Sequence, residues 1–319
     1  MRPPSLDQLQ LDACALCSQA TLLCSSHIIP HFVFDWLRES SGTGHIRTGE
    51  NPNRRVQDSW KPKLLCRACE QMFGRWEKAF AEHVFVPLHR GERENFPYGP
   101  WMLKFAASIS WRILTVFKLI GGLDGFPPKI VRAASAALSR WRDFLLDQRP
   151  HPGRFEQHML LVDLIIDTTI PNTPPNINRY LLRSIEIHVA HTEISAITYA
   201  KMGRVILFGF FEMSYPKEWQ GTKLHVNSGT VGIKGAVLPS TIGDYMMDRA
   251  RRAAERLKAM SPRQRQIVRK AQGKDLDRIA ESESFRALYQ DITLFGRSAF
   301  GPEEVQDGGK SEPPMHSSA

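Results

Sequence analysis

The residues best suited to chemistry in this chain are cysteines. Cys14-Ala-Leu-Cys17 and Cys66-Arg-Ala-Cys69 form two CxxC pairs. Each such turn presents two thiolates to one side, and two turns supply the four soft ligands of a tetrahedral zinc ion. The interval between the pairs, Ser18 to Leu65, exceeds the commonest zinc-finger spacings. It predicts a site that closes a small subdomain rather than a tight ribbon. Four cysteine ligands leave no open coordination position, so the expected Zn2+ is structural. The alternative is a set of buried thiols. The fifth cysteine, Cys24, reads as a small buried hydrophobe.

Two further motifs lie among these cysteines. Ser26-His27-Ile28-Ile29-Pro30 falls between the pairs, and the second pair sits within Leu64-Leu65-Cys66-Arg67-Ala68-Cys69-Glu70. A CxxC turn, then a His-Ile-Ile-Pro segment, then Leu-Leu-Cys-x-x-Cys at a helix start resembles the HNH endonuclease superfamily. It is also similar to a bacterial HNH-like group in which both motifs occur together. The resemblance spans about residues 13–85. It implies a zinc-stabilised treble-clef (ββα-metal) fold, with His27 as the general base that activates water and a catalytic Mg2+ or Mn2+. Three positions depart from the superfamily pattern: Ser26 replaces an Asp, Lys61 an Asn, and Glu70 the closing His ligand.

The residue types give their own account of that site. Glu70 to Val84 reads as a helix, with Phe73, Trp76, Phe80 and Val84 on one buried face. Glu77 lies two turns after Glu70, only ~20° away around the helix. Two carboxylates beside His27 suit a hard divalent ion. The competing reading makes Glu70 and Glu77 solvated surface residues and His27 a brace for the zinc knuckle. His31 and His45 are either further ligands or solvated loop histidines.

Elements must hold these groups in place, and their pattern predicts an α+β chain. Residues 13–90 form the zinc module and 91–170 a helical segment. Residues 171–300 form a C-terminal α+β domain with basic helices, and 301–319 a disordered tail. Met102, Phe105, Ile109, Ile113, Val116, Phe117 and Ile120 mark one helix face. Ile130, Ala134, Leu138, Trp141 and Leu145 mark a second, and Phe155 to Ile166 reads as a third helix. Ser184 to Ala190 alternates as a strand should. Ala196–Tyr199 and Val205–Phe211 predict a hairpin, and Lys223 to Val226 a further strand. Asp244 to Ala259 reads as a helix. Ser261-Pro262 then looks like a cap and first-turn proline opening another.

The formal net charge is +9, which favours a polyanionic partner, DNA or RNA first. Two stretches concentrate it. The loop from Arg38 to Lys63 carries Arg54 and Arg55 beside Asn51, Asn53, Gln57 and Trp60, suited to a phosphate backbone and a stacked base. Arg249, Arg251, Arg252, Arg256, Lys258, Arg263, Arg265, Arg269, Lys270 and Lys274 stand against Glu255 alone. The alternative in both cases is a solvated charged face. Met1 to Gln10 lacks the apolar core of a secretory signal, and no stretch reads as a membrane span. A cytoplasmic chain with reduced thiols is expected. The leading expectation is a nucleic-acid-binding, metal-dependent endonuclease. The second is a non-catalytic zinc module that binds nucleic acid or a protein partner. No phosphate-binding glycine loop and no nucleophile motif supports a metabolic enzyme.

Overall fold

The structure, a computed structural model, describes residues 9–47, 51–56, 60–273 and 275–300. The expected tail at 301–319, Gln57 and Lys274 lie outside the described residues. The chain is mixed α+β.

The N-terminal part is built on a short ribbon. Strand β1 (Leu23–Ser25) pairs antiparallel with β4 (Lys63–Cys66). Two further backbone bonds, Ser26 N–H to Pro62 O and Ile28 N–H to Trp60 O, extend that pairing through His27. Helix α1 (His31–Glu39) follows β1. A second ribbon, β2 (Ile46–Arg47) with β3 (Arg55–Val56), then leads back to β4. Helix α2 (Arg67–Phe80) starts directly at the end of β4, with Cys66 as its N-cap. It continues through a π-helical turn, Ala81–Phe85, into α3 (Val86–His89).

Strand β5 (Asn95–Tyr98) leads into α4 (Trp101–Leu119), and α5 (Pro128–Leu145) returns beside it. Beneath them lies a four-stranded antiparallel sheet in the order β6 (Gln157–Leu161), β9 (Val205–Glu212), β8 (Ala196–Met202), β7 (Ile185–His191). Both faces are covered. Met159, Leu161, Ala200, Met202, Val205, Leu207 and Phe211 point into the core shared with α4 and α5. Leu160, Ile197, Tyr199, Ile206, Phe208 and Phe210 point the other way, toward Trp219 and toward Ile242, Tyr245 and Met246 of helix α7 (Ser240–Lys258). The period-two alternation survives even though nearly every residue of β6, β8 and β9 is buried. At Gly209 an added Cβ would lie 2.2 Å from Ser110 Oγ, so the absent side chain lets α4 approach β9.

The expected third helix at Phe155 to Ile166 is instead β6. A short apolar run covered on both faces has no amphipathic period to distinguish strand from helix. Lys223 to Val226 does not form a full strand. Its ladder is a single bridge from Lys223 to His158. The hairpin β8–β9 and the helices at 101–119, 128–145 and 240–258 match the sequence pattern. Ser261 caps α8 (Pro262–Gln272) by accepting from Gln264 N–H.

The chain closes with α6 (Ile177–Arg183) packed on α7, then α9 (Leu276–Glu281) and α10 (Glu283–Phe295). Strand β10 (Gly229–Gly232) pairs back onto β5. The main apolar cluster runs from Cys14 to Val231 and draws on all three predicted segments. Among the described residues, no helix is long and apolar enough to cross a membrane.

Candidate functional site

Cys14, Cys17, Cys66 and Cys69 converge. One sulfur from each lies within 4.8 Å of the others. All four are free thiols, and Cys17 Sγ is 3.7 Å from Cys66 Sγ. That exceeds the ~2.05 Å of a disulfide. It matches the edge of a tetrahedron about a metal with bonds of ~2.3 Å, roughly 3.8 Å. The backbone builds the knuckle. Cys14 N–H donates to Gln19 O, Ser18 N–H to Cys14 O, and Ala15 N–H to Leu64 O, which ties the first turn to β4. Arg142 of α5 donates from Nε to Leu16 O at 2.6 Å and so braces the turn from outside.

The thiols titrate as a crowded set. Burial alone would raise Cys14, but N–H donation from Cys17, Cys66 and Leu16 outweighs it and brings the thiol down to about 7. Burial and the neighbouring sulfurs push Cys69 and Cys17 up. Four thiolates cannot coexist here without a cation, and a divalent metal such as zinc supplies one. The donor set and its spacing fit the ion.

A second cluster adjoins the first. His27 follows β1 and Glu70 lies in the first turn of α2, so the ribbon and the zinc knuckle bring them together. The Glu70 carboxyl is held above the usual carboxylate range. Burial is the main cause, opposed by the Ser26 hydroxyl, Arg112 and His27 and reinforced by Glu77. Its Oε1 is buried without a hydrogen-bond partner. A buried carboxylate oxygen with no donor is unusual and suits a ligand atom. Ser26 Oγ accepts from Leu65 N–H at 3.2 Å, so it braces the β1–β4 pairing where the superfamily pattern has a metal-binding Asp.

Glu77 has a different role from the one its helical position suggested. Arg112, only 1% exposed, donates from one arm of its guanidinium to Glu77 Oε1 at 2.7 Å. The other arm reaches His27 O at 2.6 Å. Glu77 is therefore the counter-ion of a buried arginine. Arg112 fixes the backbone of His27 from a helix outside the cysteine segment. The only sequence signal for it is a charge in the middle of an apolar helix face.

His31 pairs with Asp35 at 2.8 Å and stacks edge-on with His27. Among the described residues, the four cysteines are the group of three or more ligands close enough to share a metal ion, and none of His27, Glu70, Glu77, His31 and His45 belongs to such a group. Lys61 and Cys24 are exposed and half-buried, and Trp60 packs on the core rather than standing out as a stacking platform.

The basic stretches are partly brought together. Asn53 Oδ1 accepts from Ser261 N–H at 2.7 Å, clipping the loop that carries Arg54 and Arg55 to the α7–α8 junction. Arg54 and Arg55 are exposed. Arg249 leaves the exposed set. It is 5% exposed, and its Nε and Nη2 hold the two carboxylate oxygens of Glu186 of β7, of which Oε2 also accepts from the Tyr180 hydroxyl. Arg256 leans on the same carboxylate at 3.5 Å, Arg252 pairs with Asp248, and Arg251 donates to Asn172 O. Apart from Glu255, which pairs with Lys258, the acids that neutralise α7 lie outside the stretch that looked one-sided. Glu186 is brought there by the sheet.

These features define a mixed α+β chain organised on a four-cysteine cluster able to hold a metal ion such as zinc. No family model, no curated protein and no solved structure matches the chain.

Proposed function

We propose that this chain is a zinc-built, nucleic-acid-binding protein whose His27–Glu70 cluster hydrolyses phosphodiesters with the help of a hard divalent ion. The observation that carries the reading is Glu70. Its carboxyl is drawn into the protein beside His27, with one oxygen left unpartnered. The order of knuckle, ribbon and helix suits a treble clef in which zinc is the scaffold. Glu70 would hold Mg2+ or Mn2+, an ion that takes one or two carboxylates and completes its shell with water and phosphate oxygens. Such an ion, when bound, stabilises the charge that develops on the phosphoryl oxygens. His27 removes the proton of the attacking water, and Arg112 keeps the His27 backbone at a fixed height above α2. Exposed arginines of the 51–56 loop hold the phosphate backbone.

A second reading is a zinc scaffold without catalysis. The engagement of Glu77 by Arg112 and of Ser26 by Leu65 favours it, because both positions are used structurally. The two readings separate on cleavage of DNA and RNA by the zinc-loaded protein with added Mg2+ or Mn2+. His27→Ala should reduce the rate by ~10²–10⁴-fold and leave zinc content unchanged. Glu70→Gln should raise the metal concentration required. If wild-type protein cuts neither nucleic acid, or if His27→Ala cuts as fast, the cleavage reading fails and the scaffold remains.

A further inference from the structure

We propose that Arg47, Arg55 and Arg278 form a phosphate-binding site where the β2–β3 ribbon meets α9, and that it grips a nucleic-acid backbone. Arg47 and Arg55 are direct cross-strand partners in a ribbon only two residues long on each side. Like charges directly opposite one another destabilise a strand pair, and a ribbon this short has little pairing energy to offset them. Arg278 approaches from the far end of the chain. An added Cβ on Gly44 would lie 3.1 Å from its Nη2, and one on Gly42 would lie 3.0 Å from Ile279. Helix α9 therefore rests on the segment that enters β2 and delivers a third guanidinium there.

Among the described residues, none of the three arginines makes an ion pair, and Arg47 Nε is buried without an acceptor. Asp275, three residues before Arg278, spends Oδ1 on capping the Arg278 backbone N–H. The field has a local witness in His45. Burial lowers its pKa, and Arg55, Arg47 and Arg278 lower it further. Arg47 is itself pushed down by burial and by Arg55.

An unpartnered buried donor, with a second guanidinium across the ribbon and a third beside Gly44, calls for an oxyanion with several acceptor atoms. Planar guanidinium forks match a tetrahedral phosphate better than a single carboxylate. Charge continues beyond the site. The Asn53 clip places the same loop against the junction of α7 and α8, where Arg263 is exposed. A row of phosphates therefore fits this face better than one small anion, which commits the site to a polynucleotide backbone. The site does not depend on whether His27 cleaves.

The test uses full-length zinc-loaded protein without added divalent metal, so binding is read apart from cleavage. A fluorescein-labelled DNA duplex and the matching RNA are titrated by anisotropy over a series of salt concentrations. Inorganic phosphate is titrated separately by calorimetry and as a competitor. Arg47→Gln, Arg55→Gln and Arg278→Gln should each weaken polynucleotide binding about tenfold and reduce the log–log salt slope by ~0.9. Lys234→Gln, an exposed cation already paired with Glu94, should change neither. Arg55→Gln should also raise Tm by about 1–2 °C, because it relieves the cross-strand repulsion. Loss of binding together with a gain in stability is the signature of a residue retained for a ligand. Competition by inorganic phosphate, lost in the same variants, would support a discrete phosphate pocket. Weakened polynucleotide binding without a phosphate signal would support a site that reads the backbone only. Unchanged affinity and slope in all three variants would overturn the proposal, and so would a lowered Tm with unchanged binding in Arg55→Gln.

Discussion

Arg112 carries a full charge into the interior and spends it on two partners that are distant in sequence, Glu77 and the carbonyl of His27. Removing one member of such a pair leaves the other buried and uncompensated, which costs about 3–5 kcal/mol. Arg112→Met should lower stability by that order and loosen the segment around His27, measured by denaturant unfolding and by hydrogen exchange at Ile28. The cysteines make a separate prediction. Purified protein should carry one zinc per chain, and Cys66→Ser should abolish that content and lower the stability of the fold, as elemental analysis and denaturant unfolding would show. The cysteine cluster was legible in the sequence because each CxxC turn is local and its chemistry is carried by residue type. The His27–Glu70 neighbourhood was legible through two short motifs. The true partner of Glu77 was not, because Arg112 reaches it only after α4 has packed on α2. Arg249 was misread for the same reason: its counter-ion, Glu186, belongs to a strand rather than to the helix that bears it.

At the scale of elements, the join between α2 and α3 has the clearest physical consequence. The π-helical turn at Ala81–Phe85 carries the chain to His89, whose Nδ1 bonds to Phe85 O at 2.7 Å and whose Nε2 accepts from Arg204 N–H at 3.2 Å. That pair of bonds requires the neutral ring with its proton on Nδ1. Burial lowers the His89 pKa to about 3, with help from Arg204, Arg183 and Lys201. An unfolded histidine titrates near 6.5. Between those values the unfolded chain binds a proton that the native state refuses, so stability falls as pH drops from about 6.5 toward 3. At pH 4 the loss from this group is of order 3 kcal/mol. His89→Gln should flatten that part of the stability–pH curve, measured by chemical denaturation at a series of pH values. The elements themselves were readable wherever one face met solvent or a helix stripe was long, as in α4, α5 and α7. Strand β6 was not, because packing against α4 on one side and Trp219 on the other erased the alternation in polarity that identifies a strand.

Across the whole molecule, the segments are bound by side chains that cross between them. Arg142 of α5 holds the zinc knuckle at Leu16, and Arg112 of α4 holds His27. Arg183 at the end of α6 donates to Leu37 O and Ser40 Oγ beside α1, and also meets Glu283 of α10. With the apolar cluster continuous from Cys14 to Val231, metal removal should not melt one part alone. Calorimetry before and after chelation should show a single transition displaced to lower temperature. Two separate transitions, with the later one unmoved, would contradict this coupling.

The pairing of β5 with β10 bears on synthesis. Asn95–Tyr98 finds its partner only at Gly229–Gly232, so the ribosome must release most of the chain before this edge closes. Until then Phe96, fully buried in the finished protein, has no strand to cover it. The cysteine cluster can load its metal while the remainder is still being translated, whereas the interior waits for residues made much later. Contacts this distant in sequence slow folding and prolong the time that apolar surface is exposed. A nascent chain arrested before residue 229 should therefore bind chaperones, while one arrested beyond α10 should not.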